Sequence, residues 1–243
     1  MTNPVFKRFD NEVSDRVVQE NQIMTVNGTL QITLLMGLIM LVGAAYVWNQ
    51  ALLGYTDQVV MLSSIGGIAG LVLGLIICFT KSKYLVPVYA GLEGLFLGGI
   101  STFFEASYPG IVMHAVAGTF AVFFTMLILY RMNLLKCTDK FRSTVLIGTA
   151  SIAGIYLIGF IGHFFGYTIP QIHTSSNIGI AFSIIAILFA SFNFIVDFDF
   201  IEQGAQKMLP KDYEWYGAFG LLVTLVWLYL EMLKFLAKLS DRR

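Results

Sequence analysis

Seven long apolar runs dominate the sequence, and they constrain the fold more than any other feature of it. Each run holds about 20 residues, the length that an α-helix needs to cross the hydrocarbon core of a bilayer. Unpaired backbone groups are too costly in lipid, and a helix pairs all of its own, so we expect each run to be a helix. The runs are Leu30–Trp48, Val59–Phe79, Tyr84–Phe104, Ile111–Tyr130, Val145–Phe165, Ile178–Val196 and Tyr216–Leu236.

The composition agrees with a surface that faces lipid. Of 243 residues, 57% are hydrophobic and only 12% are charged, whereas a soluble domain carries about 25% charged residues. The mean hydropathy is +0.76. We therefore predict an all-α, polytopic membrane protein, with a seven-helix transmembrane bundle over residues 29–243 and a polar cytoplasmic arm over residues 1–28. The arm mixes charges of both signs and has no apolar core, so we do not expect it to be a signal peptide.

The distribution of basic residues predicts the orientation. Eleven Lys and Arg residues lie in the arm and in the linkers after runs two, four and six, and none lies in the alternate linkers. Because Lys and Arg accumulate on the cytoplasmic side, the N-terminus is expected in the cytoplasm. The basic tail after run seven opposes this pattern, and a re-entrant last helix is the alternative. We favour seven crossings, since charges synthesised last weigh less.

No feature of the sequence indicates catalysis, a cofactor or nucleic-acid binding. It lacks an HExxH zinc motif, a phosphate-binding glycine loop and a GxSxG nucleophile elbow. Its charges form short clusters rather than a basic patch. Cys78 and Cys137 are too few for a disulfide framework and too far apart for a metal motif, so both are expected as free thiols. The spacing of the three histidines, His114, His163 and His173, likewise favours hydrogen bonding over metal binding.

Acidic residues inside the runs are the candidate functional residues, because charges at such depths face a cavity or a partner. Glu93 lies in run three, about 14 Å from its cytoplasmic end; a neutral, hydrogen-bonded acid without function is the alternative. Asp197 follows run six, inside a helix end that we expect near Gly204. Asp199 points to nearly the opposite face and stacks on Glu202. Solvation of all three acids at the interface is the alternative; it suits Glu202 well and Asp199 fairly, but it suits Asp197 poorly.

The acids of runs three and six are expected at similar depth. We predict that Glu93 and Asp197, with Asp199 as a third member, converge in the cytoplasmic half of the bundle. Ionised carboxylates that converge repel one another, so protonation of an acid or a bound cation is expected, with Asp197 and Glu93 as the metal ligands. Glu231 of run seven lies three residues before Lys234, and a plain surface salt bridge remains an alternative for it.

A family resemblance rests on two segments and on the glycine-rich region around Glu93. The segments are Phe194-Ile-Val-Asp-Phe-Asp-Phe-Ile-Glu202 and Trp215-Tyr-Gly-Ala-Phe-Gly220 through Trp227-Leu-Tyr-Leu-Glu231. They resemble the Bax inhibitor-1 (transmembrane BAX inhibitor motif) family, in particular a bacterial YccA-like branch. The resemblance implies seven helices, a bacterial inner membrane and a pH-sensitive calcium leak gated by two aspartates, one on the sixth helix and one on the seventh.

Asp197 matches the first gating position, although the Thr-Gln that follows it in the family is Phe198-Asp199 here. Glu231 matches the second position with one methylene added, and the two acids lie 34 positions apart, a wider separation than is usual in the family. If the last helix starts at Trp215, Glu231 lies about 24 Å from the cytoplasmic end, well above Asp197. We therefore expect Glu93 to match Asp197 in depth better than Glu231 does.

The leading hypothesis is a membrane cation leak channel or exchanger, with Ca²⁺ as the expected ion because hard cations take oxygen ligands. Protonation of Asp197 and its partner acids is the expected gate, since scarce water and neighbouring acids disfavour the charged form. The alternative is a non-conducting regulator that binds proteases or stress-response proteins in the membrane. A retinal protein would need a lysine near the middle of the last run, and Lys234 lies near its end.

Overall fold

A computed structural model of the chain describes residues 22–165 and 174–242. In this part of the chain, the structure is a bundle of seven α-helices, each long and apolar enough to cross a membrane. The predicted all-α fold with seven transmembrane helices is confirmed. The helices are α1 (Val26–Leu52), α2 (Thr56–Thr80), α3 (Val86–Ser107), α4 (Ile111–Arg131), α5 (Asp139–Phe164), α6 (Asn177–Gln206) and α7 (Tyr213–Ser240).

Helix α6 is longer than its apolar run. It begins after Ser176, whose hydroxyl accepts from the backbone N–H of Gly179 at 3.1 Å. This N-cap satisfies one of the N–H groups of the first turn that have no partner within the helix. It continues to Gln206, ten residues beyond the end of run six. An apolar run marks the hydrocarbon layer, whereas the helix extends past it into polar surroundings. Asp197, Asp199 and Glu202 therefore lie on continuous helix.

The two ends of α7 lie on opposite sides of the bundle. At its start, Asp212 pairs with Lys83 of the α2–α3 linker, with Nζ and Oδ1 2.7 Å apart. At its other end, the carboxylate of Asp241 accepts from the hydroxyl of Tyr108, which follows α3, at 2.5 Å, and from that of Ser175, which precedes α6, at 2.8 Å. These two hydrogen bonds hold the pKa of Asp241 below its usual value. Helix α7 thus crosses the bundle once, as α3 does, rather than turning back.

Helix α7 is also the centre of the bundle. It packs against α1, α3, α4 and α6, whereas α5 lies at the edge against α6, and α2 lies against α1 and α3. The aromatic side chains of Phe194 and Phe198 on α6, with Leu221 and Leu228 on α7, form a buried apolar cluster between these two helices. Any polar group on the inner faces of α6 and α7 is therefore close to the middle of the fold.

Glycines allow the close approach of α3 to α1 and α2. A Cβ at Gly66 of α2 would lie 2.6 Å from the carbonyl oxygen of Leu92, and one at Gly94 of α3 would lie 2.3 Å from that of Met40 on α1. Both distances are far below van der Waals contact, so a larger residue would push the helices apart. Gly66 and Gly94 thus serve contacts between helices inside the bundle.

The described part of the predicted arm runs from residue 22 into the first turn of α1. The N–H of Met24 donates to the carbonyl of Leu209 at 2.8 Å, and the N–H of Lys211 donates to the carbonyl of Gln22 at 2.8 Å. Residues 22–24 therefore lie beside the α6–α7 linker in an antiparallel arrangement. Because α1 begins at Val26, residues 26–28 of the predicted arm are helical, and residues 1–21 lie outside the described residues.

Candidate functional site

Asp197 of α6 faces α7. The hydroxyl of Thr224 donates to its Oδ2 at 2.6 Å. Gly220, one turn before Thr224, lies on the same face of α7, and a Cβ there would be 3.5 Å from Oδ1. Asp197 is partly buried, and its described hydrogen bond reaches across the interface between the two helices. Its carboxyl group therefore joins α6 to the central helix.

The other two acids of α6 face different helices. Asp199 forms an ion pair with Arg142 of α5 and accepts from Nε2 of Gln203 at 2.7 Å. Glu202 is exposed and accepts from the hydroxyl of Tyr130 on α4 at 2.5 Å. A helix turns 100° per residue, which predicts that Asp199 points away from Asp197. The contacts of the two residues agree with that prediction. The positive charge of Arg142 offsets the negative charge of Asp199.

Glu231 of α7 is completely buried, with 0% of its surface exposed. The hydroxyl of Tyr156 on α5 lies 2.9 Å from both of its carboxylate oxygens, and Nζ of Lys234 donates to Oε1 at 2.8 Å. The pair of Glu231 and Lys234, which their separation of three residues allowed, is present. Because the Glu231 carboxylate is in the interior, this pair is not a surface salt bridge.

Lys238 extends this network by one turn of α7. It is buried, and its Nζ donates to the carbonyl of Gly179 at 3.0 Å and to the hydroxyl of Ser183 at 2.8 Å, both on α6. The network of Tyr156, Glu231, Lys234 and Lys238 thus connects α5, α6 and α7 near the C-terminal end of α7. Buried charges are tolerated when they are paired and hydrogen-bonded in this way.

Glu93 of α3 is buried, lies one turn after Tyr89 on the same helix, and faces Gly70 of α2. A Cβ at Gly70 would lie 3.2 Å from its Oε1. The ring of Tyr89 packs edge-on against Phe219 of α7, with ring centroids 4.9 Å apart. Glu93 thus lies one helical turn from a residue that contacts the central helix.

Asp197 and Glu93 lie on two helices that pack against α7, and Glu231 lies on α7 itself. No contact in the described part of the chain joins these three acids. Thr224, the partner of Asp197, and Glu231 lie seven residues apart on α7, two turns or about 10 Å along the axis. Helices α3 and α6 do not pack directly on each other along their described lengths, and α7 contacts both. Among the described residues, no three His, Cys, Asp or Glu side chains lie close enough together to hold a metal ion. That Glu93 and Asp197 share a cation stays a prediction.

A family model described as Bax inhibitor 1 like matches residues 3–241, nearly the whole chain. The chain belongs to this family. A search of curated proteins finds no match to this chain. The resemblance drawn from residues 194–202 and 215–231 is thereby confirmed, while the bacterial YccA-like branch stays a prediction. A Bax inhibitor 1 like chain with seven apolar helices is an integral, multi-pass membrane protein.

In this Bax inhibitor 1 like protein, sequence reasoning missed a second buried acid of α7. Glu214 is 2% exposed, and its Oε1 accepts from the N–H and from the hydroxyl of Thr25, both at 2.9 Å. The hydroxyl of Thr25 in turn caps α1 by accepting from the N–H of Gly28 at 2.9 Å. The threonine two residues before Asn27-Gly28 is a recognisable N-cap signal, but nothing in the sequence connects it with an acid 189 positions away.

Tyr156 and Lys238 were missed as well. A tyrosine in an apolar span needs a partner for its hydroxyl, and this signal was available from residue 156 alone. Two polar side chains at the turn between α3 and α4 serve local structure: Glu105 accepts from the backbone N–H of Gly110 at 2.6 Å, and Nδ1 of His114 lies 2.7 Å from the carbonyl of Gly110. The side chain of His163 and all of His173 lie outside the described residues.

Proposed function

We propose that this protein is a pH-sensitive cation leak channel or exchanger that carries Ca²⁺ and is gated by protonation of Asp197. The observation that carries the proposal is the hydrogen bond from Thr224 of α7 to Asp197 of α6, inside the bundle. It places an ionisable group at the contact between the central helix and the helix beside it. Membership of the Bax inhibitor 1 like family supports the same function.

Protonation changes the strength of this contact. An ionised carboxylate accepts a charge-assisted hydrogen bond that is about twice as strong as a neutral one. When Asp197 takes up a proton, the Thr224 hydroxyl loses its charged acceptor and the acid gains a donor of its own. A change of about 1.4 kcal/mol in the α6–α7 contact shifts the equilibrium between two arrangements tenfold.

Helix α7 offers a route by which such a shift reaches the other acids. Phe219 touches Tyr89, which lies one turn before Glu93 on α3, and Glu231 lies two turns beyond Thr224. Carboxylate oxygens are the ligands that Ca²⁺ prefers. We propose Asp197 and Glu93 as cation ligands and Glu231 as a further acid of the pathway. Asp199 contributes least, because Arg142 already pairs with it.

The proposal includes an orientation. The excess of Lys and Arg in the arm and in alternate linkers supports a cytoplasmic N-terminus. With this orientation, the Lys83–Asp212 pair faces the cytoplasm and the Tyr108–Asp241 pair faces the opposite side. A bacterial inner membrane is the proposed location.

Calcium flux into vesicles tests the proposal. Purified protein is reconstituted into liposomes that contain a Ca²⁺-sensitive dye, and uptake is recorded at two pH values against protein-free liposomes. We expect a flux that depends on pH and a weaker dependence in Thr224→Val. A matched control is Thr125→Val, because the Thr125 hydroxyl is exposed and donates only within its own helix, to Ala121 at 2.7 Å.

Absence of flux at every pH would contradict the proposal. It would favour the alternative, a non-conducting regulator that binds proteases or stress-response proteins in the membrane. If Thr224→Val and Thr125→Val change the pH dependence of the flux equally, the Asp197–Thr224 contact does not gate conduction.

A further inference from the structure

An apolar groove opens between α2 and α5, with Trp227 of α7 completing its wall. We call it the α2–α5 groove; its volume is about 820 Å³, and Leu71, Ala153, Tyr156 and Phe160 are among its lining residues. This volume lies in the range of about 300–1,000 Å³ that is typical of small-molecule sites. Its place in the fold sets it apart from the Asp197 contact between α6 and α7.

The occupant of the groove has to come from the membrane. Leu71 on α2 is 65% exposed, and Leu157 and Phe160 on α5 are 58% and 64% exposed, so the rims are formed by side chains that face lipid. Water is not a suitable occupant, because a bound water needs two to four polar partners and the lining is almost wholly apolar. A flexible acyl chain satisfies both conditions.

A positive group lies next to the groove. Nζ of Lys234 is 4.3 Å from the centre of the Tyr156 ring, and the Lys234 side chain keeps 36% of its surface exposed. Lys234 follows Trp227 by seven residues on α7, which places it about 10 Å nearer the C-terminal end of that helix. In the surrounding network, Lys234 and Lys238 outnumber the single acid Glu231. This end of the groove therefore favours an anionic group.

We propose that the α2–α5 groove binds an acyl chain of an anionic phospholipid from the leaflet at the C-terminal end of α7, with the lipid phosphate beside Lys234. The chain runs past Tyr156 towards Trp227. Since the Tyr156 hydroxyl holds the carboxylate of Glu231, the bound lipid touches a residue that positions a buried acid. Lipid composition then alters the surroundings of Glu231. The binding itself does not depend on whether the protein conducts ions.

Trp227 supplies a direct readout. The full-length protein with Trp48→Phe and Trp215→Phe, which leaves Trp227 as its single tryptophan, is reconstituted into vesicles of phosphatidylcholine with a fixed fraction of brominated lipid. Bromine on the acyl chain quenches tryptophan fluorescence on contact. We expect brominated phosphatidylglycerol to occupy the groove about fivefold more strongly than brominated phosphatidylcholine, the equivalent of about 1 kcal/mol for one lysine near an anionic headgroup.

Two variants in this background separate the headgroup from the chain. Lys234→Gln should abolish the preference for phosphatidylglycerol, and Lys234→Arg should keep it. Ala153→Phe fills the groove without disturbing the core, because Ala153 is exposed, and should reduce quenching by both lipids. Ala45→Phe, at an exposed position of α1, is its matched control and should leave the quenching unchanged.

Equal quenching by the two brominated lipids in the parent protein would overturn the proposed headgroup preference. Quenching that Ala153→Phe leaves at the level of Ala45→Phe would overturn the groove as the binding site. Because Ala153→Phe replaces no member of the Glu231 network, it tests the groove even if Lys234→Gln fails to fold.

Discussion

The hydroxyl of Tyr156 lies 2.9 Å from each of the two carboxylate oxygens of Glu231. Helix α5, which carries Tyr156, packs along α6 and not along α7. This side-chain bond is therefore a direct link between the edge helix and the central helix. Glu231 is fully buried, so the loss of a donor there cannot be compensated by bulk water.

Tyr156→Phe should destabilise the protein. It removes a donor from a buried carboxylate, and the cost of such a loss is about 1–3 kcal/mol. Thermal unfolding in detergent micelles measures the effect. Tyr46→Phe, at a position that is 51% exposed on α1, is the matched control. Equal melting temperatures for the two variants would show that the Tyr156 bond contributes nothing to stability.

Local rules explain what could be predicted from the sequence. Hydrocarbon thickness and helix rise determine the length of a spanning helix, so the seven runs predicted the seven helices. The same helical geometry predicted that Asp199 faces away from Asp197. Local rules say nothing about which helices are neighbours, so Tyr156 and Glu231, 75 positions apart, remained unconnected. The burial of Glu231 also depends on the central place of α7, which no periodicity reveals.

Gly28→Ala should weaken the contact between the start of α1 and the start of α7. A Cβ at Gly28 would lie 2.2 Å from Oε1 of Glu214, so the carboxylate has to move away from Thr25 and lose hydrogen bonds. We expect a loss of about 1–2 kcal/mol and faster hydrogen exchange over residues 22–28. Gly37→Ala is the control, because no atom lies within 4 Å of a Cβ there. It should be neutral or stabilising, since alanine favours helix.

Cys137 should react with a maleimide more slowly at neutral pH than an exposed thiol does. Burial, the largest cause, raises the pKa of this thiol in the α4–α5 linker above its ordinary value. The thiolate is the reactive form, and its fraction falls at neutral pH as the pKa rises. In a Cys78→Ser background, maleimide labelling of Cys137 should be slower at pH 7.5 than labelling of the thiol introduced by Lys136→Cys in a chain that also carries Cys137→Ser.

The pH profile of the two thiols is the more specific test. Labelling of Cys137 should keep rising with pH after the rate for the exposed position 136 has levelled off. Identical profiles for the two positions would contradict the effect of burial on Cys137.

Labelling from one side of the membrane should confirm the topology. Lys136 and Ser240 are exposed and lie in the α4–α5 linker and at the end of α7, respectively. In a cysteine-free background on intact cells, an impermeant maleimide should react with the Ser240→Cys variant and reach the Lys136→Cys variant only after permeabilisation. Labelling of both from the same side would contradict seven crossings, and the reverse pattern would contradict a cytoplasmic N-terminus.

Asp197→Asn should flatten the pH dependence of Ca²⁺ flux in proteoliposomes. The amide has the shape of the acid but does not ionise, so the Thr224 contact keeps one strength at every pH. Asp199→Asn should do much less, because Asp199 faces Arg142 on α5. Glu231→Gln should have an intermediate effect, since Glu231 is held by Tyr156 and Lys234 two turns away from Thr224. If Asp197→Asn keeps the parental pH profile while Glu231→Gln abolishes it, the sensor is the buried acid of α7 and not the contact between α6 and α7.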